Sequence, residues 1–357
     1  MQYFPKVSIG LVLYKDEKYL RTCIKSLMEQ DYPNIEFLIR DQSPNREAYE
    51  YIRNELYGEF QQLKIESGPN LWHSGGHNAL IRRMTGDYYI VCSSDMWYPS
   101  DFVSRAIETL EEPGNRHYGS ATCKLMVWDF SPDNPDPELA SGDSGPGQKT
   151  NVIDSCGIGI TPSHHFYDMG QGEEDKGQYD RKRNIFGPSG ALSIFRKTAL
   201  DDIAYKNTSE KLEYYDSLLH YKNDVDLAYR LQWAGHRSLF IPDVKIWHDR
   251  KATNLYTSPV LAHRILKARD DKSQFIKENS FFGQQIVMKK NYNNDFSLPV
   301  RLKSAFYRMG RLGYATLFER YLLKQFGIIK EFENEIMEKQ QKIKFRMPSS
   351  RIEKLMK

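Results

Sequence analysis

An α/β fold with a mostly parallel central sheet flanked by helices is what this sequence predicts, on three observations. Between Val7 and Val127, short apolar runs alternate with amphipathic stretches, the rhythm of strands and helices that builds such a sheet. With 40% hydrophobic and 13% aromatic residues among 357, the chain has apolar surface for one large core and a small appended unit. The four cysteines, Cys23, Cys92, Cys123 and Cys156, lack the paired spacing of a zinc or disulfide framework, so the core must hold without staples.

Taken in order, Val7 to Leu13 reads as a strand, Glu17 to Glu29 as a helix, and Ile35 to Arg40 as the next strand. A helix over Arg46 to Tyr57, a strand over Leu63 to Glu66, a helix over Gly75 to Met84 and a strand over Tyr88 to Cys92 follow. Open sheets of this kind bind ligands beyond the carboxyl ends of their strands. Leu13, Tyr14, Lys15, Asp41, Ser67 and the run Ser93-Ser94-Asp95 are therefore expected along one rim.

Residues 129–185 are rich in turn formers, as in Asp129-Phe130-Ser131-Pro132-Asp133 and Ser141-Gly142-Asp143-Ser144-Gly145, and read as an irregular insertion. A second ordered half, 186–292, opens with Phe186-Gly187-Pro188-Ser189-Gly190, whose glycines suit a close backbone approach to a ligand. The expected division is a catalytic body, 1–292 (1–128, 129–185 and 186–292), and a basic helical extension, 293–357.

Charge is segregated along the chain. From Lys289 to Lys357 there are 16 basic and 7 acidic residues, a net +9 that leaves −6 for residues 1–288 of a chain whose total is +3. A basic tail beside an acidic body favours an anionic surface as partner; without a nucleic-acid motif, no nucleic-acid partner is expected. In the tail Leu302, Ala305, Phe306, Met309, Leu312, Ala315, Phe318 and Leu322 recur every three or four residues among arginines and lysines. That pattern fits an interfacial membrane helix or a helix packed on the body, and both readings stay open. No signal-like segment or membrane-length apolar run is seen, so a cytoplasmic protein is expected; the interfacial reading of the tail would set it peripherally on the inner face of the plasma membrane.

Chemistry concentrates in Tyr221-Lys222-Asn223-Asp224-Val225-Asp226-Leu227-Ala228-Tyr229-Arg230, which puts two carboxylates and an arginine at a helix start, and in His248 behind it. Asp226 and Arg230 are four apart, on one helix face. As a bare pattern the cluster is also compatible with a solvated, capped helix start, and His248 with a structural histidine. Together with the Val7–Leu13 strand, Ile39-Arg40-Asp41-Gln42-Ser43, Gly68 to Asn78 and Ser93-Ser94-Asp95, it resembles the family 2 glycosyltransferases, closest to bacterial rhamnosyltransferase-type members, over residues 5–292.

The resemblance implies a GT-A type nucleotide-diphospho-sugar transferase fold and inverting, metal-dependent transfer of a hexosyl group. Asp224 takes the place of the catalytic base, and Asp95 and His248 those of ligands to Mn2+ or Mg2+. Donor contacts fall to Leu13, Tyr14, Asp41, Asn70, Gly76, Asn78, Ser93 and Ser94. Ser189, Gly190, Asn223, Asp226 and Arg230 are acceptor-binding or supporting positions. L-rhamnose from dTDP-L-rhamnose is the favoured donor, with UDP-galactofuranose, UDP-glucose or UDP-N-acetylhexosamine as alternatives, and a glycan or lipid-linked glycan as acceptor in surface polysaccharide synthesis. The sequence departs from the family where Ser93 replaces the first acid of the strand-end triplet, Asn223 replaces an acid, and Trp72 and His73 replace a glycine and an aromatic. These departures leave room for a catalytically silent nucleotide- or glycan-binding protein on the same scaffold.

Overall fold

The structure is a computed structural model that describes residues 3–60, 62–130, 148–206, 211–250 and 272–357. Its strands are β1 (Val7–Leu13), β2 (Ile35–Asp41), β3 (Leu63–Ser67), β4 (Tyr88–Cys92), β5 (Met96–Trp97), β6 (Tyr118–Asp129) and β7 (Gln148–Ser155). The remainder are β8 (Ile158–Ile160), β9 (Phe166–Asp168), β10 (Arg183–Ile185), β11 (Ser193–Arg196), β12 (Tyr205–Lys206), β13 (Leu212–Glu213) and β14 (Arg237–His248). The main sheet has the order β10-β14-β6-β11-β4-β1-β2-β3. Strands β4, β1, β2 and β3 are parallel neighbours, as are β6 and β14, while β11 runs antiparallel between the two groups.

Both faces of this sheet are covered by helices, which is why its strands are apolar almost throughout. On β4, Tyr88, Ile90 and Cys92 join the core beneath α1 (Glu17–Met28), α2 (Glu47–Tyr51) and α4 (Phe102–Glu111), and Tyr89 and Val91 join the opposite core. That second core lies under α3 (Trp72–Ile81), α5 (Lys197–Ile203) and α6 (Asn223–Ala234). Gly10 in β1 is required by the second core, because a Cβ there would fall 1.9 Å from the Tyr89 hydroxyl.

A third core joins residues 158–233 to the carboxyl-terminal helices: α7 (Gln274–Asn291), α8 (Leu298–Phe318), α9 (Lys324–Glu331), α10 (Glu333–Gln341) and α11 (Ser349–Glu353). Trp233, Tyr229, Phe296, Ile336, Ile343 and Ile352 meet there. A buried ionic cluster ties the same elements. Lys290 of α7 pairs with Asp216 and, at 2.7 Å, with Asp226 of α6, and Lys339 of α10 reaches Asp216 at 2.7 Å and Glu213 at 3.0 Å.

Two features differ from the sequence reading. Residues 148–185 are not irregular: β7 pairs with β6, β8 with β9, and β10 with β14. These strands are short and broken by glycines in the left-handed region, Gly157, Gly170, Gly172 and Gly177, which hides their alternation. The densest turn formers, 131–147, lie outside the described residues. The second difference is that the apolar pattern predicted for the tail does not share one environment: Leu302, Phe306, Met309, Leu312 and Phe318 are exposed, whereas Ala315 and Leu322 are buried.

Candidate active site

The carboxyl ends of β1, β2 and β3 border a cleft of about 780 Å³, lined by Tyr14, Gln42, Ser43, Glu66, Gly68 and Asn70 among others. Tyr14 is 41% exposed and follows directly on the buried Leu13. Asp41 is fully buried, its two carboxylate oxygens accepting backbone N–H groups of Ser43 at 2.8 Å and Tyr49 at 2.9 Å. It therefore shapes the loop along the cleft. Asn70 accepts the Trp72 N–H at 2.8 Å and so braces the turn that leads into α3.

Gly76 and Asn78, expected against the donor, face inward. A Cβ on Gly76 would fall 2.8 Å from Val12, so this glycine lets α3 approach β1. The buried Asn78 amide donates to the Tyr215 carbonyl at 2.7 Å and accepts from the Tyr214 and Tyr215 N–H groups at 2.9 Å. Its hydrogen-bonding capacity goes into holding residues 214–215.

Past β4, Ser93 and the buried Ser94 lead to Asp95, and strand β5 pairs antiparallel with the end of β14. The Asp249 N–H, donating to the Asp95 carbonyl at 2.9 Å, completes this junction. His248 Nε2 consequently faces an Asp95 carboxylate oxygen at 3.5 Å, and its Nδ1 bonds to Asp154 at 2.8 Å. Burial alone would lower the pKa of His248, but the carboxylates of Asp95 and Asp154 outweigh it and raise it to about 10. Arg250 continues the chain of charges, donating to Asp154 at 3.0 Å and Asp168 at 2.8 Å.

An imidazole whose Nδ1 is fixed by a carboxylate can offer its other nitrogen to a metal, and a cation between His248 Nε2 and Asp95 would take the place of the proton that the two carboxylates now favour. Asp95 and His248 Nε2 supply two donors, one hard oxygen and one nitrogen, which suits Mn2+ or Mg2+ completed by substrate phosphate oxygens. Among the described residues no cluster of three or more His, Cys, Asp or Glu converges on one point, so the protein alone would hold such an ion loosely.

Asp224 stands on the first turn of α6, entered through Lys222 in the left-handed region (φ 68°). Burial raises the Asp224 pKa; the nearby Lys222 charge opposes this, and the Asp168 carboxylate adds to it. Lys222 is in turn pushed down by burial, with Asp224 and Asp168 countering. Gly190 makes room for Asp224: a Cβ there would lie 2.9 Å from an Asp224 carboxylate oxygen. The adjoining Ala191 carbonyl accepts the Ser93 hydroxyl at 3.1 Å, so residues 190–191 connect Asp224 to the strand end that precedes Asp95.

Asn223 accepts the Asp224 N–H at 2.8 Å and reaches His73 Nδ1 at 3.0 Å. His73 is buried enough that its pKa falls to about 4, although the Gly190 carbonyl opposes the shift. Burial favours the neutral ring, whose Nδ1 can accept from the Asn223 amide. Ser189 is buried and accepts the Ser193 hydroxyl at 2.6 Å through its carbonyl. Asp226 and Arg230 form a fully buried pair at 2.9 Å, with the Arg230 guanidinium also donating to the Ile203 and Tyr214 carbonyls. Their contacts hold α6 in place.

Sequence reading did not single out Lys222, His73, Asp154, Asp168 and Arg250 as site residues. His73 was recognised only as a departure from the family, and Lys222 only as a member of the string that holds Asp224. An acid that must orient a buried histidine 94 residues away leaves no local pattern to find.

Residues 8–131 match the model of glycosyl transferase family 2. The chain is 27% identical over 108 residues to the dolichyl N-acetyl-alpha-D-glucosaminyl phosphate 3-beta-D-2,3-diacetamido-2,3-dideoxy-beta-D-glucuronosyltransferase of Methanococcus voltae, covering 29% of this chain and 34% of that protein. To the glycosyltransferase GlyA of Streptococcus pneumoniae serotype 4 it is 27% identical over 107 residues, 30% of this chain and 15% of the relative. The matched stretch thus spans about a third or less of these curated relatives. The crystal structure of GalNAc-T7 with UDP, GalNAc and Mn2+ aligns over 89% of this chain and 57% of that one, with a TM-score of 0.53 and 10% identity, a likeness of fold. The matched residues include Asp41 and Asp95; Asp224 and His248 lie beyond them.

Proposed function

We propose that this protein is an inverting glycosyltransferase that uses a nucleotide-activated sugar and a divalent cation held by Asp95 and His248. The observation that carries the reading is the convergence of two chemistries on one rim: Asp224 over Gly190, and the Asp95–His248 pair joined to it through Ser93 and Ala191. The acceptor hydroxyl sits within about 2.6–3.2 Å of the Asp224 carboxylate. Its oxygen forms a bond to the anomeric carbon as the bond from that carbon to the diphosphate oxygen breaks, and its proton passes to Asp224. The cation, when bound, supplies charge neutralisation for the departing diphosphate. Attack opposite the leaving group inverts the anomeric centre.

Donor and acceptor are chosen by analogy with rhamnosyltransferase-type relatives. L-rhamnose from dTDP-L-rhamnose is the favoured donor, UDP-galactofuranose, UDP-glucose and UDP-N-acetylhexosamine are the alternatives, and the acceptor is a glycan or lipid-linked glycan at the cytoplasmic face of a membrane. Slow hydrolysis of a panel of nucleotide sugars, with Mn2+, Mg2+ or chelator, tests the reading. One donor should be turned over only with metal, and Asp95→Ala and Asp224→Asn should each reduce transfer by about 10²–10⁴-fold. A donor that binds but is never cleaved, with glycan acceptors present, would make this a silent binding protein.

A further inference from the structure

The outward face of α8 is the largest feature the proposed chemistry leaves unused. Leu298, Leu302, Phe306, Met309, Leu312 and Leu317 are between 45% and 69% exposed. Their spacing of three to five residues places them in one stripe along the helix. Arg301 and Arg308, each one residue ahead of a stripe position, flank it on one side, and Lys303 flanks it on the other. From Leu298 to Lys330 the chain has seven lysines and arginines and a single acid, Glu319, which is buried and lies 3.6 Å from Lys277. An apolar stripe bordered by positive charge suits the headgroup–acyl boundary of an anionic membrane better than a neutral protein groove. Among the described residues no helix is long and apolar enough to cross a membrane, so the contact is with the surface.

The inner face of the same helix points toward the reaction centre. The Tyr307 ring packs edge-on to His165 at 5.8 Å, and the Arg311 charge acts on Lys222, two residues before Asp224. A membrane against the outward face of α8 therefore lies across that helix from His165 and Lys222.

We infer that α8 seats the protein on anionic lipid, its stripe sunk among headgroups and Arg301, Lys303 and Arg308 on their phosphates, so that Asp224 meets an acceptor carried by that bilayer. The lipid contact stands on α8 alone; the presentation of the acceptor rests on the transferase reading.

Cosedimentation of the full-length protein with phosphatidylcholine vesicles, with and without phosphatidylglycerol, is the test. Binding should be at least about tenfold stronger to the anionic vesicles and should weaken at about 1 M salt, where the screening length falls to ~3 Å. L302S/F306S/M309S and R301E/K303E should each lose at least about tenfold in vesicle binding with unchanged melting temperature and unchanged donor hydrolysis in solution. Equal binding to neutral and anionic vesicles, or none, overturns the inference. So does a wild-type dimer in light scattering that the serine variant turns into a monomer, because a second copy would then cover the stripe. Vesicle binding reads no turnover, so a protein that binds anionic lipid but cleaves no donor refutes the transferase reading alone.

Discussion

Asp224 is held where a carboxylate is a better base and a worse contributor to stability. Burial raises its pKa and Lys222 only partly opposes this. An acid with a higher pKa in the folded than in the unfolded state binds more protons when folded. Stability is then greatest below the unfolded pKa and falls as pH rises through the folded one. Asp224→Asn should accordingly be about 1 kcal/mol more stable than wild type at neutral pH, with the gain vanishing below about pH 4, measured by urea melts at several pH values. Gly190→Ala probes the same residue from the other side. The new Cβ would sit 2.9 Å from the carboxylate oxygen and 3.3 Å from its carbon, and the flexible acid would give way. Folding should survive, while kcat falls by up to about 10²-fold, the usual effect of a misplacement near 1 Å; an unchanged kcat would remove Asp224 from the base role. Asp224, Asp95 and His248 could be singled out as candidates because each lies at or beside the end of an element in a short, characteristic string. Lys222 and Asp154 were not, because their partners are set by the fold.

Elements were most legible where burial is two-sided. The run from Tyr88 to Cys92 is a strand with the bounds read from sequence, every residue of it buried. The stripe of α8 was read with the correct period and without its direction, since periodicity states that a face exists and not what it meets. Nothing in the sequence announced the ionic cluster between α6, α7 and α10, whose members are spread from Glu213 to Lys339. Lys290 is its centre: fully buried, paired with Asp216 and Asp226 and 3.2 Å from the Tyr205 hydroxyl. Lys290→Met would keep most of the volume and strand two buried carboxylates, each with fewer cationic partners. Removing one member of such a cluster costs about 3–5 kcal/mol, so this variant should unfold at markedly lower urea concentration than wild type. Lys289→Met, one residue earlier but partly exposed and paired with the exposed Glu333, should differ from wild type by less than about 1 kcal/mol.

For the whole molecule, the question is whether the basic helical extension expected from residue 293 onward is separable from the body. Composition suggests that it is, because the charge changes sign there. Packing points the other way. Ile336, Ile343 and Ile352 are buried beside Trp233 and Tyr229, the Arg346 N–H donates to the Trp233 carbonyl at 3.0 Å, and the Lys357 N–H donates to the Ile160 carbonyl at 3.1 Å. Each buried isoleucine is worth about 1.5–3 kcal/mol. The three together rival the total stability of an ordinary domain, about 5–15 kcal/mol. Deletion also strips Lys339 from Asp216, which is wholly buried. A chain ending at residue 292 should therefore lose fixed tertiary structure in its second half, seen as a collapsed near-ultraviolet circular dichroism signal and strong binding of a hydrophobic dye. The donor cleft, built from β1, β2 and β3 at the far end of the sheet order, lies outside the core that deletion breaches. A 1–292 chain that melts cooperatively at the wild-type temperature would make the extension an independent unit, and it would place the stability of α6, and with it the position of Asp224, within the body alone.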